Sequence, residues 1–294
     1  MNYMDRMKNN LSFLGVNEAY LYLINMLQKA PESKPRGMKV KECLGVAFTI
    51  TNPRDRVVKN SLRKISSSFA VGEFLWYLRG SNQLDIMKYY SSMYPKFSDD
   101  QVTVHGAYGP RIFGGKTSQW ESIKKKLNED SDSRQAVITI YQPMDLFTSS
   151  RDIPCTCNLQ YFIRDGKLHA ITYMRSNDIY LGMPYDIFSF TLFQEMLALE
   201  MGVELGSYTH MVGSMHIYEN NFSIFEQLQN EFSCDSYTMM SMPKEAIEKE
   251  QIELLLQVES ILRNNGDILT ESKLQSYWDP FVEVLIEKKR RIYQ

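Results

Sequence analysis

Apolar residues in "NEAYLYLINMLQKA" (Asn17 to Ala30) recur at three- and four-residue intervals, the spacing of a helix with one buried face. "APESKPRGMKVKE" (Ala30 to Glu42) breaks that rhythm with prolines, glycine and charge, and predicts a loop. "CLGVAFTITNP" reads as a strand stopped at Asn52-Pro53. "SSSFAVGEFLWYLRG" (Ser66 to Gly80) has serines for an N-cap, an apolar body and a closing glycine, so it predicts a helix. Glu73 sits inside that apolar body, where a carboxylate either faces a polar cavity or holds a raised pKa.

From Arg134 onward the pattern turns to strands. "AVITIY" comes first, then "NLQYFIRDGKLHAITYMRS", a hairpin with Asp165-Gly166 at its turn. "IFSFTLFQEMLALEMG" (Ile187 to Gly202) is apolar on nearly every face and predicts a buried helix, and "SYTHMVGSMHIY" follows as a strand. The remainder, from "PKEAIEKEQIELLLQVESILRNNG" to "SKLQSYWDPFVEVLIEKKRR", is helical and more charged. The expectation is an α+β chain with a mixed, antiparallel-rich sheet and one central buried helix. It forms a single domain over residues 1–294, with a divergent helical segment from about residue 237.

Composition narrows the function. The formal charge is -2, which gives no general pull toward nucleic acid or an anionic membrane. "MNYMDRMKNNLSF" has no signal-peptide core and no run reaches a membrane span, so a soluble, cytoplasmic protein with reduced thiols is expected. The four cysteines, Cys43, Cys155, Cys157 and Cys234, form no paired C-x-x-C, and a one-residue gap makes a strained disulfide. No metal is expected. For Cys155 and Cys157 two readings remain, a small buried hydrophobe or a nucleophile.

Around Pro154-Cys155 the sequence gathers chemistry. "MRSNDIYLGMPYDI" holds Arg175, Ser176, Asp178 and Asp186 around a Gly/Pro loop, and "GSMHIYEN" holds His216 and Tyr218 on one face of a strand. A thiol, arginines, carboxylates, a histidine and a tyrosine suit an enzyme that handles a nucleotide through a covalent step.

The block from Ser133 to Asn221 resembles the centre of the thymidylate synthase superfamily, which includes the CMP and dCMP 5-hydroxymethylases. "AVGEFLWYLRGS", "HGAYGPR" and "KPRG" extend the likeness upstream. The resemblance implies a thymidylate synthase-like fold and a homodimer joined through a sheet face. It implies Cys155 as the nucleophile that adds to C6 of a pyrimidine. Arg175, Ser176, Arg36 and a partner-donated Arg134 are implied as phosphate ligands, and His216 and Tyr218 as the sugar-binding pair. Glu73 is implied to organise water and proton transfer, Tyr108 to lie near the reacting carbon and Asp178 to face the folate. The implied co-substrate is 5,10-methylenetetrahydrofolate.

Three departures from thymidylate synthases set the expected chemistry. Those enzymes carry asparagine at the position of Asp186, and an amide matches the O4 acceptor and N3–H donor of uracil. An ionised aspartate instead accepts N4–H from cytosine and stabilises a proton on N3, which also favours thiolate attack at C6. The chain's "EKKRRIYQ" end lacks the apolar tail that closes over folate, so water is expected to reach the C5 methylene and leave a hydroxymethyl group. The adjacent cross-subunit arginines appear as Arg134-Gln135. Ser176 beside Arg175 resembles the deoxynucleotide enzymes, favouring dCMP with CMP close behind. The alternative is a divergent thymidylate synthase that methylates dUMP.

Overall fold

Ser66 caps its helix as a serine before an apolar run should: its Oγ accepts the Phe69 N–H at 3.3 Å and the helix spans Ser67–Leu78. The computed structural model describes residues 11–60, 62–231, 237–267 and 273–293. They fall into two compact units. The first comprises Met1–Ile65, Ile123–Ile138 and Cys155–Met239; the second comprises Ser66–Ser122, Thr139–Pro154 and Met240–Gln294.

The first unit is organised by a sheet with eight strands among the described residues: β1 (Leu11–Phe13), β2 (Glu32–Ser33), β3 (Val40–Ile50), β4 (Val137–Thr139), β5 (Thr156–Arg164), β6 (Lys167–Met174), β7 (Asn177–Asp178) and β8 (Glu204–Tyr218). The order is β1-β3-β8-β6-β5-β4, with β2 on β3 and β7 on β8. The long β3–β8 pairing and the β5–β6 hairpin are antiparallel, whereas β1–β3, β6–β8 and β7–β8 are parallel, so the sheet is mixed. Asp165 and Gly166 turn the hairpin with φ of 50° and 71°, the left-handed pair of a type I′ turn.

The buried helix spans Met183–Glu200. Being apolar nearly all round, it has almost no solvent face, and two of its polar residues tie it to its surroundings. Gln194 Nε2 donates to the carbonyls of Leu168 (2.9 Å) and Ser207 (3.0 Å), fastening the helix to β6 and β8. Glu195 accepts from Arg54 Nε at 2.7 Å and from Arg56, whose side chain is fully buried. Glu195→Ala would strand that guanidinium without a counter-charge. It is expected to lower unfolding free energy by about 3–5 kcal/mol. Lys125→Ala breaks only an exposed pair with Glu129 and should cost under about 0.5 kcal/mol. Urea denaturation of the two variants measures the contrast.

The second unit is helical, with Ser67–Leu78, Leu84–Tyr90, Lys249–Arg263 and Asp279–Tyr293 as its main elements. Phe74 lies 6.4 Å from Trp278 and 6.3 Å from Phe281, ring to ring. The buried carboxylate of Glu259 is neutralised by Arg79 and Arg263 and accepts the Tyr90 hydroxyl, each at 2.8 Å. Among the described residues no helix is long and apolar enough to cross a membrane, and no three His, Cys, Asp or Glu residues gather as a metal site.

Candidate active site

Cys155 lies one residue before β5 and Arg175 one residue after β6. The Arg175 N–H donates to the Cys155 carbonyl at 2.8 Å, extending the hairpin ladder by one rung. That rung sets the two side chains together. Arg175 Nη2 and Ser176 Oγ each lie 3.7 Å from the Cys155 sulfur, and Arg175 Nη1 donates to Ser176 Oγ at 3.2 Å. A guanidinium and a hydroxyl in these places favour negative charge on sulfur. β8 holds the arginine from behind: Ser214 N–H donates to the Arg175 carbonyl at 3.1 Å. The approach is so close that a Cβ on Gly213 would sit 2.7 Å from that carbonyl oxygen.

Cys155 and Cys157 would share a face in a regular strand. They do not lie in one, because β5 begins at Thr156 and its register shifts between Thr156 and Asn158. Cys157 is half-buried and burial pushes its thiol up, the setting of a packing residue. Cys43, Cys155 and Cys157 are all outside any disulfide; Cys234 lies outside the described residues.

β7 and β8 bring Asp178 opposite His216. Asp178 Oδ1 accepts the Tyr180 and Leu181 N–H groups at 2.7 and 2.5 Å. Its Oδ2 is buried with no hydrogen-bond partner among the described residues, and burial raises the carboxyl above its usual range. His216 and Tyr218 meet edge to face, ring centroids 5.1 Å apart. His216 Nδ1 donates to the Ser214 carbonyl at 3.2 Å. Glu42, paired across from His216 on β3, accepts from the Ser214 hydroxyl and from Ser33 Oγ at 2.9 Å. The Ser214 bond is the main reason its carboxyl is held low.

Asp186 stands in the first turn of the buried helix, half-buried, and desolvation pushes its carboxyl up to about 7. Asn177 Nδ2 donates to Asp186 Oδ2 at 2.8 Å. The Asn177 carbonyl in turn meets His210 Nε2 at 2.9 Å, and His210 Nδ1 meets the Tyr208 hydroxyl at 2.9 Å. His210 is fully buried and burial drives its ring down to about 3, so it is neutral with a single N–H. With the Asn177 oxygen as acceptor that proton sits on Nε2, and the chain runs Tyr208 to His210 to Asn177 to Asp186.

Of the other sequence-named positions, two stand on the surface of the first unit. Arg36 is exposed in the turn Pro35–Gly37, with φ of 51°, and Arg134 is exposed before β4. In the second unit Glu73 is buried and accepts the Tyr94 hydroxyl at 2.7 Å. Tyr108 lies near-parallel to Tyr77, centroids 5.1 Å apart. The sequence motifs single out none of Asn177, His210, Tyr208, Tyr94 and Glu42. One signal was present: Tyr208, His210, Ser214, His216 and Tyr218 all fall at alternate positions of one strand.

Residues 18–259 match the thymidylate synthase family model, which is described as "Thymidylate synthase". The chain is 30% identical over 246 residues to the deoxyuridylate hydroxymethyltransferase of Bacillus phage SP01. The match covers 77% of this chain and spans 64% of that relative's length. The family match covers the hairpin that carries Cys155 and Arg175, the helix that begins beside Asp186 and the strand that carries His216, and the chain belongs to the thymidylate synthase family.

Proposed function

We infer that this protein transfers a one-carbon unit to C5 of a cytidine monophosphate, dCMP ahead of CMP, and releases the 5-hydroxymethyl nucleotide. The observation that carries the reading is the Cys155–Arg175–Ser176 triangle, with Asp186 where thymidylate synthases have asparagine. Cys155 adds as thiolate to C6, which leaves C5 electron-rich; Arg175 serves the sulfur and, with Ser176, Arg36 and a partner-donated Arg134, the nucleotide phosphate. His216 and Tyr218 take the sugar hydroxyl. Asp186 accepts N4–H and keeps a proton at N3, Tyr108 lies by the reacting carbon, and Glu73 moves protons and directs water to the C5 substituent.

The orphaned, buried Asp178 Oδ2 fits an N–H of a folate ring, so Asp178 would hold 5,10-methylenetetrahydrofolate. When bound, that co-substrate supplies carbon at the oxidation level of formaldehyde. A homodimer suits the exposed Arg134 and the partly exposed cross-strand pair Tyr173 and Met211, each 39% exposed.

A second reading, hydroxymethylation of dUMP, is favoured by the name of the phage relative and by the Asp186 carboxyl near 7, since a protonated acid donates to O4 of uracil. Tritium release from C5-labelled dCMP, CMP and dUMP, with methylenetetrahydrofolate present, decides among them. Release from dCMP or CMP at least tenfold faster than from dUMP is expected, and the reverse order overturns the cytidine assignment. A rise in dihydrofolate absorbance during turnover would mark a methylating enzyme instead.

A further inference from the structure

A carboxylic acid reads a pyrimidine edge by which of its two oxygens bears the proton. Cytosine needs the bare oxygen at its N4 amino group and the O–H at N3. Uracil needs the O–H at O4 and the bare oxygen at N3–H. The same acid therefore pairs with either base, and whatever places the proton chooses between them. Asp186 has one oxygen committed: Oδ2 accepts from Asn177 Nδ2 at 2.8 Å. An oxygen that accepts an N–H is the poorer place for a proton, so the proton belongs on Oδ1.

The Asn177 amide is not at liberty to turn. The Tyr208 oxygen takes a hydrogen bond from Thr172, which leaves its own O–H to donate to His210 Nδ1; the His210 proton is then on Nε2 and is donated to the Asn177 oxygen, 2.9 Å away. Asn177, His210 and Tyr208 are buried. The space around the pair is closed as well, since a Cβ on Gly182 would lie 3.2 Å from Asn177 Nδ2 and 3.3 Å from Asp186 Oδ2. An inverted amide would set its oxygen against Asp186, draw the proton to Oδ2 and reverse the reading.

We propose that Asn177 is a specificity-determining residue of this enzyme, and that its amide, oriented by His210 and Tyr208, fixes the protonated oxygen of Asp186 and so the pyrimidine that pairs with it. The proposal rests on Asp186 as the base contact but not on which base the enzyme prefers.

The test measures kcat/KM for dCMP and for dUMP and takes the ratio of preferred to rejected base. In Asn177→Leu the ratio should fall at least tenfold with kcat on the preferred base kept within a few-fold, a split that general loosening of the fold would not give. Asn177→Asp, nearly isosteric, offers no N–H to Asp186 and should lower the ratio at least as far; it decides the matter if the leucine variant does not fold. His210→Gln, whose amide still donates, should keep the ratio near wild type, and His210→Phe should lose it. An unchanged ratio in both Asn177 variants overturns the proposal while leaving the cytidine assignment standing. A wild type that prefers dUMP overturns that assignment but leaves this test intact. A wild type that turns over and binds neither nucleotide overturns both.

Discussion

Cys155→Ala is expected to lower C5 tritium release by at least about 10⁴-fold, the scale on which loss of a covalent nucleophile is felt when no neighbour substitutes for it. Neither other thiol of the described residues is suited to take over. Cys43 and Cys157 both have thiols pushed up by burial, whereas Cys155 faces the Arg175 guanidinium and the Ser176 hydroxyl at 3.7 Å. Cys155→Ser should be almost as inert, because a hydroxyl so far above neutrality in pKa is not ionised by one arginine. Nucleotide affinity should persist in both, since Arg175 and the pair proposed for the sugar, His216 and Tyr218, are untouched. Single-turnover assays with labelled nucleotide, combined with trapping of the protein-bound adduct, separate the two quantities. Turnover surviving in Cys155→Ala would remove the covalent mechanism.

Asp186→Asn is expected to reduce the ratio of kcat/KM for dCMP over dUMP by about 100-fold or more, the size of discrimination that buried polar mismatches produce. Most of the change should be loss of dCMP turnover, because an amide cannot place a proton on N3. The gain with dUMP should be limited while Asn177 holds an oxygen of residue 186 in place. The same substitution tests a pH effect. Burial raises the Asp186 carboxyl to about 7, so below that pH the protein already carries the proton that the base pair needs. Above it the proton must be taken up on binding, and dCMP affinity should fall about tenfold per pH unit. Read as binding in Cys155→Ala, where thiol ionisation does not intervene, the decline should appear; in Cys155→Ala/Asp186→Asn the profile should be flat.

Local signals carried much of the fold. The Ser66 cap, the Asp165-Gly166 turn and the apolar run of the buried helix each act within a few residues, although that helix begins at Met183, four residues ahead of the apolar run, because Pro184 suits a first turn and draws Asp186 into it. The short parallel β1 and the register of β8 against β3 depend on partners far along the chain, and nothing within "SYTHMVGSMHIY" names them. Alternation was likewise a weak guide at Cys157, where a bulge breaks the strand period. The candidate site was legible where a motif keeps its members close, as where Arg175 and Ser176 stand beside the Cys155 sulfur. His210 was not, because a buried histidine in a strand looks the same whether it fills the core or aims an amide, and only the placement of Asn177 tells the two apart.

The pairing of β3 with β8 bears on how the protein is made. Val40 faces Tyr218 and Glu42 faces His216, so the two residues proposed to take the sugar are in place only when strands separated by most of the chain have closed on each other. A nascent polypeptide still short of Ser214 carries Cys155 and Arg175, yet the strand that steadies Arg175 has not been made. Nucleotide therefore has nothing complete to bind during synthesis. It can bias the closure of β8 on β3, where a ligand that recognises the paired strands pulls the sheet shut by mass action.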